Sequence, residues 1–119
     1  MKYLCLVCFD TKQANATMSK SDWDQLTRDS IAYDQQLARD GHYVAAAALQ
    51  SIDTATTVHM RNGKVSATDG PFAETKEQVA GFILVNADNL DEAIAIASKI
   101  PLARIGSVEV RPVMELVAK

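Results

Sequence analysis

The sequence predicts an α+β fold in which helices cover one face of an antiparallel sheet that also carries a β-hairpin. Two observations lead there. The segments Lys2–Phe9 and Gln78–Asn86 are both strand-like and apolar on both faces, which marks central strands. Amphipathic helical segments alternate with strands in the order β-α-β, hairpin, β-α-β, with no linker or low-complexity stretch between them.

The first strand sets Tyr3, Cys5, Val7 and Phe9 on one face and Leu4, Leu6 and Cys8 on the other. Its Cys5-x-x-Cys8 spacing resembles a redox motif, but such motifs open a helix. Side chains of a strand alternate with period 2, so these thiols point to opposite sides. They read as small buried hydrophobes.

Residues 11–17 are polar and read as a loop. Ser19 or Ser21 then caps a helix, with Asp22 and Asp24 placed to meet the positive end of its dipole. The helix runs to about Asp40, and Gly41 is its natural terminator. Trp23, Leu26, Ser30, Tyr33 and Leu37 form the inward stripe. Residues 42–50 contain four consecutive alanines, which favour helix. Gly41 has just ended a helix, however, and Tyr43 and Val44 suit a strand, so a strand is expected. Its small side chains would let a helix approach closely or leave room for a ligand.

Residues 56–68 form a hairpin around Asn62-Gly63, a type I′ turn signal. That turn pairs Met60 with Val65 and Val58 with Ala67, and leaves Thr57, His59, Arg61, Lys64, Ser66 and Thr68 on the other face. After the second central strand, Asp88 or Asn89 caps another helix. Leu90, Ala93, Ile94, Ala97 and Ile100 are its expected core stripe, and Pro101 stops it. Residues 107–113 give a last strand, with Val108 and Val110 opposed to Glu109 and Arg111.

Together these elements describe a split β-α-β, ferredoxin-like sandwich. Two helices cover only one side of the sheet. The other apolar side calls for a partner, and a second copy supplies one at least cost. A homodimer packed through its sheet faces is therefore expected.

With 119 residues, 48% of them hydrophobic and 23% charged, the chain reads as one domain spanning residues 1–119. Its net charge of −3 opposes nucleic acid as a main partner. No apolar run reaches the ~20 residues that span a bilayer. The apolar N-terminus has no small-residue cleavage site before Asp10, so a cytoplasmic protein without membrane partner is expected.

Chemistry is harder to place. There is no zinc spacing, phosphate-binding loop, dinucleotide fingerprint or nucleophile elbow, so neither metal nor cofactor is expected. His59 falls on the polar face of the hairpin. His42 follows a helix C-terminus, where a cation is favourable. Ser30 interrupts the apolar helix stripe, with Asp34 one turn later beside it. Either Ser30 bonds its own helix carbonyl while Asp34 is solvated, or the two are substrate-binding residues.

The most distinctive segment is Asp69-Gly70-Pro71-Phe72-Ala73-Glu74-Thr75-Lys76-Glu77. Gly70 is free to take positive φ, and Pro71 restricts both itself and Gly70. In a functional reading, Asp69 and Glu74 are catalytic acid/base groups, with Phe72, Lys76 and the nearby cation Arg111 binding substrate. In a structural reading the segment is a corner: Asp69 caps backbone N–H groups and Glu74 and Lys76 form a weak surface pair.

That nine-residue segment resembles the signature of DGPF proteins, a branch of the YCII-related family. Lys2-Tyr3-Leu4, Thr56-Thr57-Val58, Gly63-Lys64-Val65, Gly81-Phe82, Asp91-Glu92-Ala93, Ile100-Pro101 and Val108-Glu109-Val110-Arg111-Pro112 extend the resemblance over nearly the whole chain. It implies a ferredoxin-like fold forming a dimeric α/β barrel. Some members of the wider group carry a first-helix histidine paired with an aspartate, proposed as catalytic. Counted back from Gly41, that position holds Ser30 here. The resemblance also implies an association with bacterial extracytoplasmic-function sigma factors. Two functions are thus in view. One is a small-molecule binder or enzyme with a cleft between sheet, first helix and acidic loop. The other is a regulatory module with a protein partner.

Overall fold

The structure is a computed structural model that describes residues 1–72 and 75–118. Strand β1 (Lys2–Phe9) leads into helix α1 (Thr11–Thr17) and the long helix α2 (Lys20–Arg39). Strand β2 (Tyr43–Ala48) follows, then the ribbon of β3 (Thr56–Arg61) and β4 (Lys64–Asp69). Strand β5 (Gln78–Asn86), helix α3 (Leu90–Ser98), a 3-10 turn at Pro101–Arg104 and strand β6 (Gly106–Pro112) complete the chain.

The main sheet has the order β2-β5-β1-β6, with every neighbouring pair antiparallel. This is the ferredoxin-like order, and β1 and β5 are the central strands. Both end where the sequence pattern ends them. The β3–β4 ribbon is a separate two-stranded sheet. Its register pairs Met60 with Val65 and Val58 with Ala67, as Asn62-Gly63 dictates, with Asn62 and Gly63 both at positive φ.

Helix α2 begins with a reciprocal capping box. Ser19 Oγ accepts from the Asp22 backbone N–H, and the Asp22 carboxylate accepts from that of Ser19. It ends in a Schellman motif: the Gly41 N–H donates to Ala38 O and that of His42 to Leu37 O, with Gly41 at φ +81°. The helices press one sheet face into a core of Tyr3, Cys5, Val7, Ile83 and Val85 against Leu37, Ala93, Ile96 and Ala97. Tyr33 fastens α2 to α3 by donating its hydroxyl hydrogen to Ile96 O at 2.7 Å.

Two expectations are corrected. Residues 11–17 are a helix rather than a loop. Asp10 caps it by accepting from the Gln13 N–H, Thr11 donates to Gln78 Oε1 from both N and Oγ1, and Ala14 is buried. In α3 the core stripe contains Ile96, whereas Leu90 and Ile94 are about half exposed. That helix is apolar almost all round, so the position of the sheet selects the buried face, not the periodicity.

The sheet face turned away from α2 and α3 carries Leu4, Leu6, Phe82 and Leu84, all half-buried. Val58, Met60 and Val65 of the ribbon are exposed as well. The body measures 50 × 47 × 19 Å, with a radius of gyration of 16.4 Å. A compact chain of this length has roughly 13.5 Å.

Candidate functional site

A pocket of about 180 Å³ opens between α2, strands β2 and β5, and the Pro101–Arg104 turn. Its origin is a run of small residues. Ala46, Ala47 and Ala48 leave space that larger side chains would fill, and Gly81 lets β2 and β5 approach closely. A Cβ at Gly81 would lie 2.7 Å from Ala47 O, so the two backbones meet where only glycine fits. Ile83, Ile100 and Leu102 supply apolar wall.

Ser30 and Asp34 are the polar side chains in this lining. They are four residues apart on α2 and therefore on one helix face. Ser30 Oγ donates to Leu26 O at 2.8 Å, which uses its single hydrogen and leaves its lone pairs free. Asp34 is half-buried. Burial pushes its carboxyl above the usual range, and no hydrogen bond or ion pair among the described residues offsets that effect. Asp29, further back on α2, is the opposite case. Arg104 Nη1 and Gln25 Nε2 both donate to it, and they hold its carboxyl below the usual range.

The other sequence candidates lie elsewhere. Asp69 is the exposed last residue of β4, opposite Thr56. The corner after it is held by backbone: the Gly70 N–H donates to Ala55 O at 2.8 Å, and Thr57 Oγ1 donates to Gly70 O at 2.8 Å. Gly70 has φ +103°, the conformation for which glycine was suited there. Phe72 is 82% exposed and faces the His59 ring at 6.1 Å. It lines a second hollow of about 600 Å³ at the ribbon base, with Leu49, Ile52 and Val79. Lys76 borders a third hollow beside Thr11 and Asp53. Arg111 Nε lies 3.6 Å from Glu109 Oε2 on the open sheet face. Glu74 falls outside the described residues. The fold thus brings Ser30 and Asp34 together, and it separates them from Asp69, Phe72, Lys76 and Arg111.

No thiol is set up as a nucleophile. Burial pushes the Cys5 thiol up, and Cys8 is raised by burial and then by the nearby Glu77 and Glu109 carboxylates, which disfavours thiolate. His42 Nδ1 lies 2.8 Å from Asn86 O, which fixes the proton on that nitrogen, and 3.9 Å from Glu92 Oε1. Among the described residues, no three His, Cys, Asp or Glu side chains gather as metal ligands, and no helix is long and apolar enough to cross a membrane.

Sequence reasoning singled out Ser30, Asp34 and the small residues of β2. It missed Gly81 and the Pro101–Leu102 wall. A glycine inside an otherwise apolar strand is a signal of close backbone approach, and that signal is present in the sequence.

The model of the YCII-related domain matches residues 1–117. The chain belongs to the YCII-related family. An uncharacterized protein of Rhizobium meliloti (strain 1021) is 34% identical over 109 residues, covering 90% of this chain and 88% of that relative. The antiparallel sheet with its helices on one face is consistent with a ferredoxin-like YCII fold.

Proposed function

We propose that this YCII-related protein binds a small molecule, as a binding protein or an enzyme, in the pocket between α2 and the sheet. One observation carries the reading: among the described residues, the carboxylate of Asp34 has no partner, and apart from Ser30 the side chains around it in the wall are apolar. A fold gains nothing by half-burying a carboxylate without a partner, because desolvation costs free energy that no contact returns. A ligand that meets Asp34 returns it. A carboxyl with raised proton affinity is also suited to accept a proton from a bound substrate. In this reading the Asp69 corner shapes the ribbon base, and the DGPF signature marks a branch of the family rather than the site.

A thermal-shift screen with small organic compounds tests the reading. A true ligand raises the melting temperature by linkage, and Asp34→Asn removes the rise while the fold persists. A rise that survives Asp34→Asn but disappears in Asp69→Asn moves the site to the loop.

The assembly that goes with this reading is a homodimer through the open sheet face, closing the two sheets into an α/β barrel. Its support is the uncovered row of Leu4, Leu6, Phe82 and Leu84, together with the flat body. The exposed ribbon face of Val58, Met60 and Val65 favours a second reading, a regulatory module docked on another protein such as an extracytoplasmic-function sigma factor. A pull-down from native extract that recovers no partner removes that reading.

A further inference from the structure

The ligand class follows from what the pocket lacks, and the inference rests on the pocket reading above. We infer that the pocket selects a small apolar molecule carrying a primary ammonium group, which Asp34 and Ser30 receive together.

The polar side chains of the wall can only accept hydrogen bonds. An ionised carboxylate has no donor. Ser30 has committed its one hydrogen to Leu26 O, so it offers the pocket lone pairs alone. A ligand that satisfies both must bring several donors. An ammonium group brings three N–H donors from one compact centre.

The sign of the charge is equally constrained. Among the described residues, Asp34 is the charged side chain of the lining, and neither lysine nor arginine joins it. Arg104, on the neighbouring turn, is committed to Asp29 at 2.9 Å. An anionic ligand would face a carboxylate that no cation of the lining offsets, whereas a cation replaces part of the solvation that Asp34 lost on folding. Size sets the remainder. A cavity of about 150 Å³ accepts a benzene ring, so a pocket of about 180 Å³ suits one ring or a short branched chain. Ile83, Ile100 and Leu102 would cover that apolar part.

Isothermal titration calorimetry with benzylamine, benzyl alcohol and benzoate tests the inference, because these probes share one ring and differ in charge. Benzylamine is expected to bind most tightly, and benzoate not to bind. Asp34→Asn is expected to weaken benzylamine about ten- to a hundredfold, the range for a hydrogen-bonded charge partner, and to weaken benzyl alcohol far less, because it brings one neutral donor and no charge. In the unaltered protein, benzylamine affinity should fall as pH drops and Asp34 becomes protonated, so the claim is also testable without a variant. Backbone amide shifts at Ala46, Ala47 and Gly81 locate the bound probe. If benzyl alcohol matches benzylamine and Asp34→Asn changes neither, the ammonium inference is overturned and the pocket reading stands. If none of the probes shifts those amides, both are overturned.

Discussion

Arg104 Nη1 lies 2.9 Å from Asp29 Oδ2 and ties the turn after α3 to helix α2. The pair also divides the acids of α2 into two kinds. Asp29 has a cation, and among the described residues Asp34 has none.

The pairing gives Arg104→Ala a defined pH signature. Asp29 is held below its ordinary value of 3.8, chiefly by the Arg104 hydrogen bond and then by Gln25. A depressed carboxylate stabilises the fold above its unfolded value, and that contribution fades as pH falls through the depressed one. Arg104→Ala should therefore lower the melting temperature slightly at neutral pH. The gap to the parent protein should shrink in high salt and close in strong acid. A gap that persists unchanged in acid would assign the loss to packing of the arginine stem.

Two glycines should fail for different reasons. A Cβ at Gly106 would sit 2.0 Å from Cys8 O and 2.7 Å from Phe9 Cβ, so Gly106→Ala must push β6 off β1. Overpacking of this kind costs about 3 kcal/mol. Gly63 has φ +74° and open space where a methyl group would stand, so Gly63→Ala incurs only left-handed strain, about 1 kcal/mol. Denaturant unfolding of both variants compares them, and equal losses would refute the steric account of Gly106.

These positions show what the sequence could reveal. Local rules were sufficient where one residue decides the outcome: Ser19 and Gly41 bound α2, and Asn62-Gly63 sets the ribbon register. They failed where tertiary contacts decide. Helix α1 buries Ala14 alone and has too little apolar pattern to announce itself, although Asp10 as a cap was a usable sign. In α3, residues 90, 93, 94 and 97 and residues 93, 96, 97 and 100 both satisfy helical spacing, and only the sheet distinguishes them. The site divided likewise. Ser30 and Asp34 share a helix face by arithmetic, but the walls around them come from elements distant in sequence. The acidic loop drew attention because its residues are unusual, but Asp69 ends β4 and Phe72 lines the hollow at the ribbon base, outside the lining that holds Ser30 and Asp34.

The proposed dimer should depend on the open sheet face. Leu6 stands opposite Phe82 on one side and Glu109 on the other. Leu6→Glu puts a charge in the middle of that row beside the like charge of Glu109, and an unpaired charge in a dry interface costs several kcal/mol. Sedimentation velocity should find a dimer for the parent chain and a folded monomer for the variant. A parent chain that sediments as a monomer at micromolar concentration would sink the dimer.

Tyr33 should behave as a clamp between helices. Its hydroxyl donates to Ile96 O at 2.7 Å, and burial, then nearby Cys5 and Asp40, push the phenol up to about 12. Tyr33→Phe should cost about 1 kcal/mol. The loss stays modest because Ile96 O also accepts from the Lys99 N–H. A spectrophotometric titration should find one tyrosine that ionises only in strong alkali and that is missing from Tyr33→Phe.

Asp34 should show the reverse of Asp29. Its carboxyl is raised from 3.8 by burial, so the folded chain holds that proton more tightly than the unfolded one. Below the unfolded value both states are protonated and nothing is lost. As pH rises through the folded value, the native state must carry a half-buried charge, and stability falls. Asp34→Asn should therefore stabilise the empty protein at neutral pH, by at most about 1 kcal/mol because solvent still reaches the carboxylate. The advantage should shrink on acidification and vanish below the unfolded value. Thermal melts across that range, without ligand, measure it. A variant less stable than the parent at neutral pH would mean that Asp34 has a partner within the fold, and the unpaired carboxylate on which the pocket reading depends would be gone.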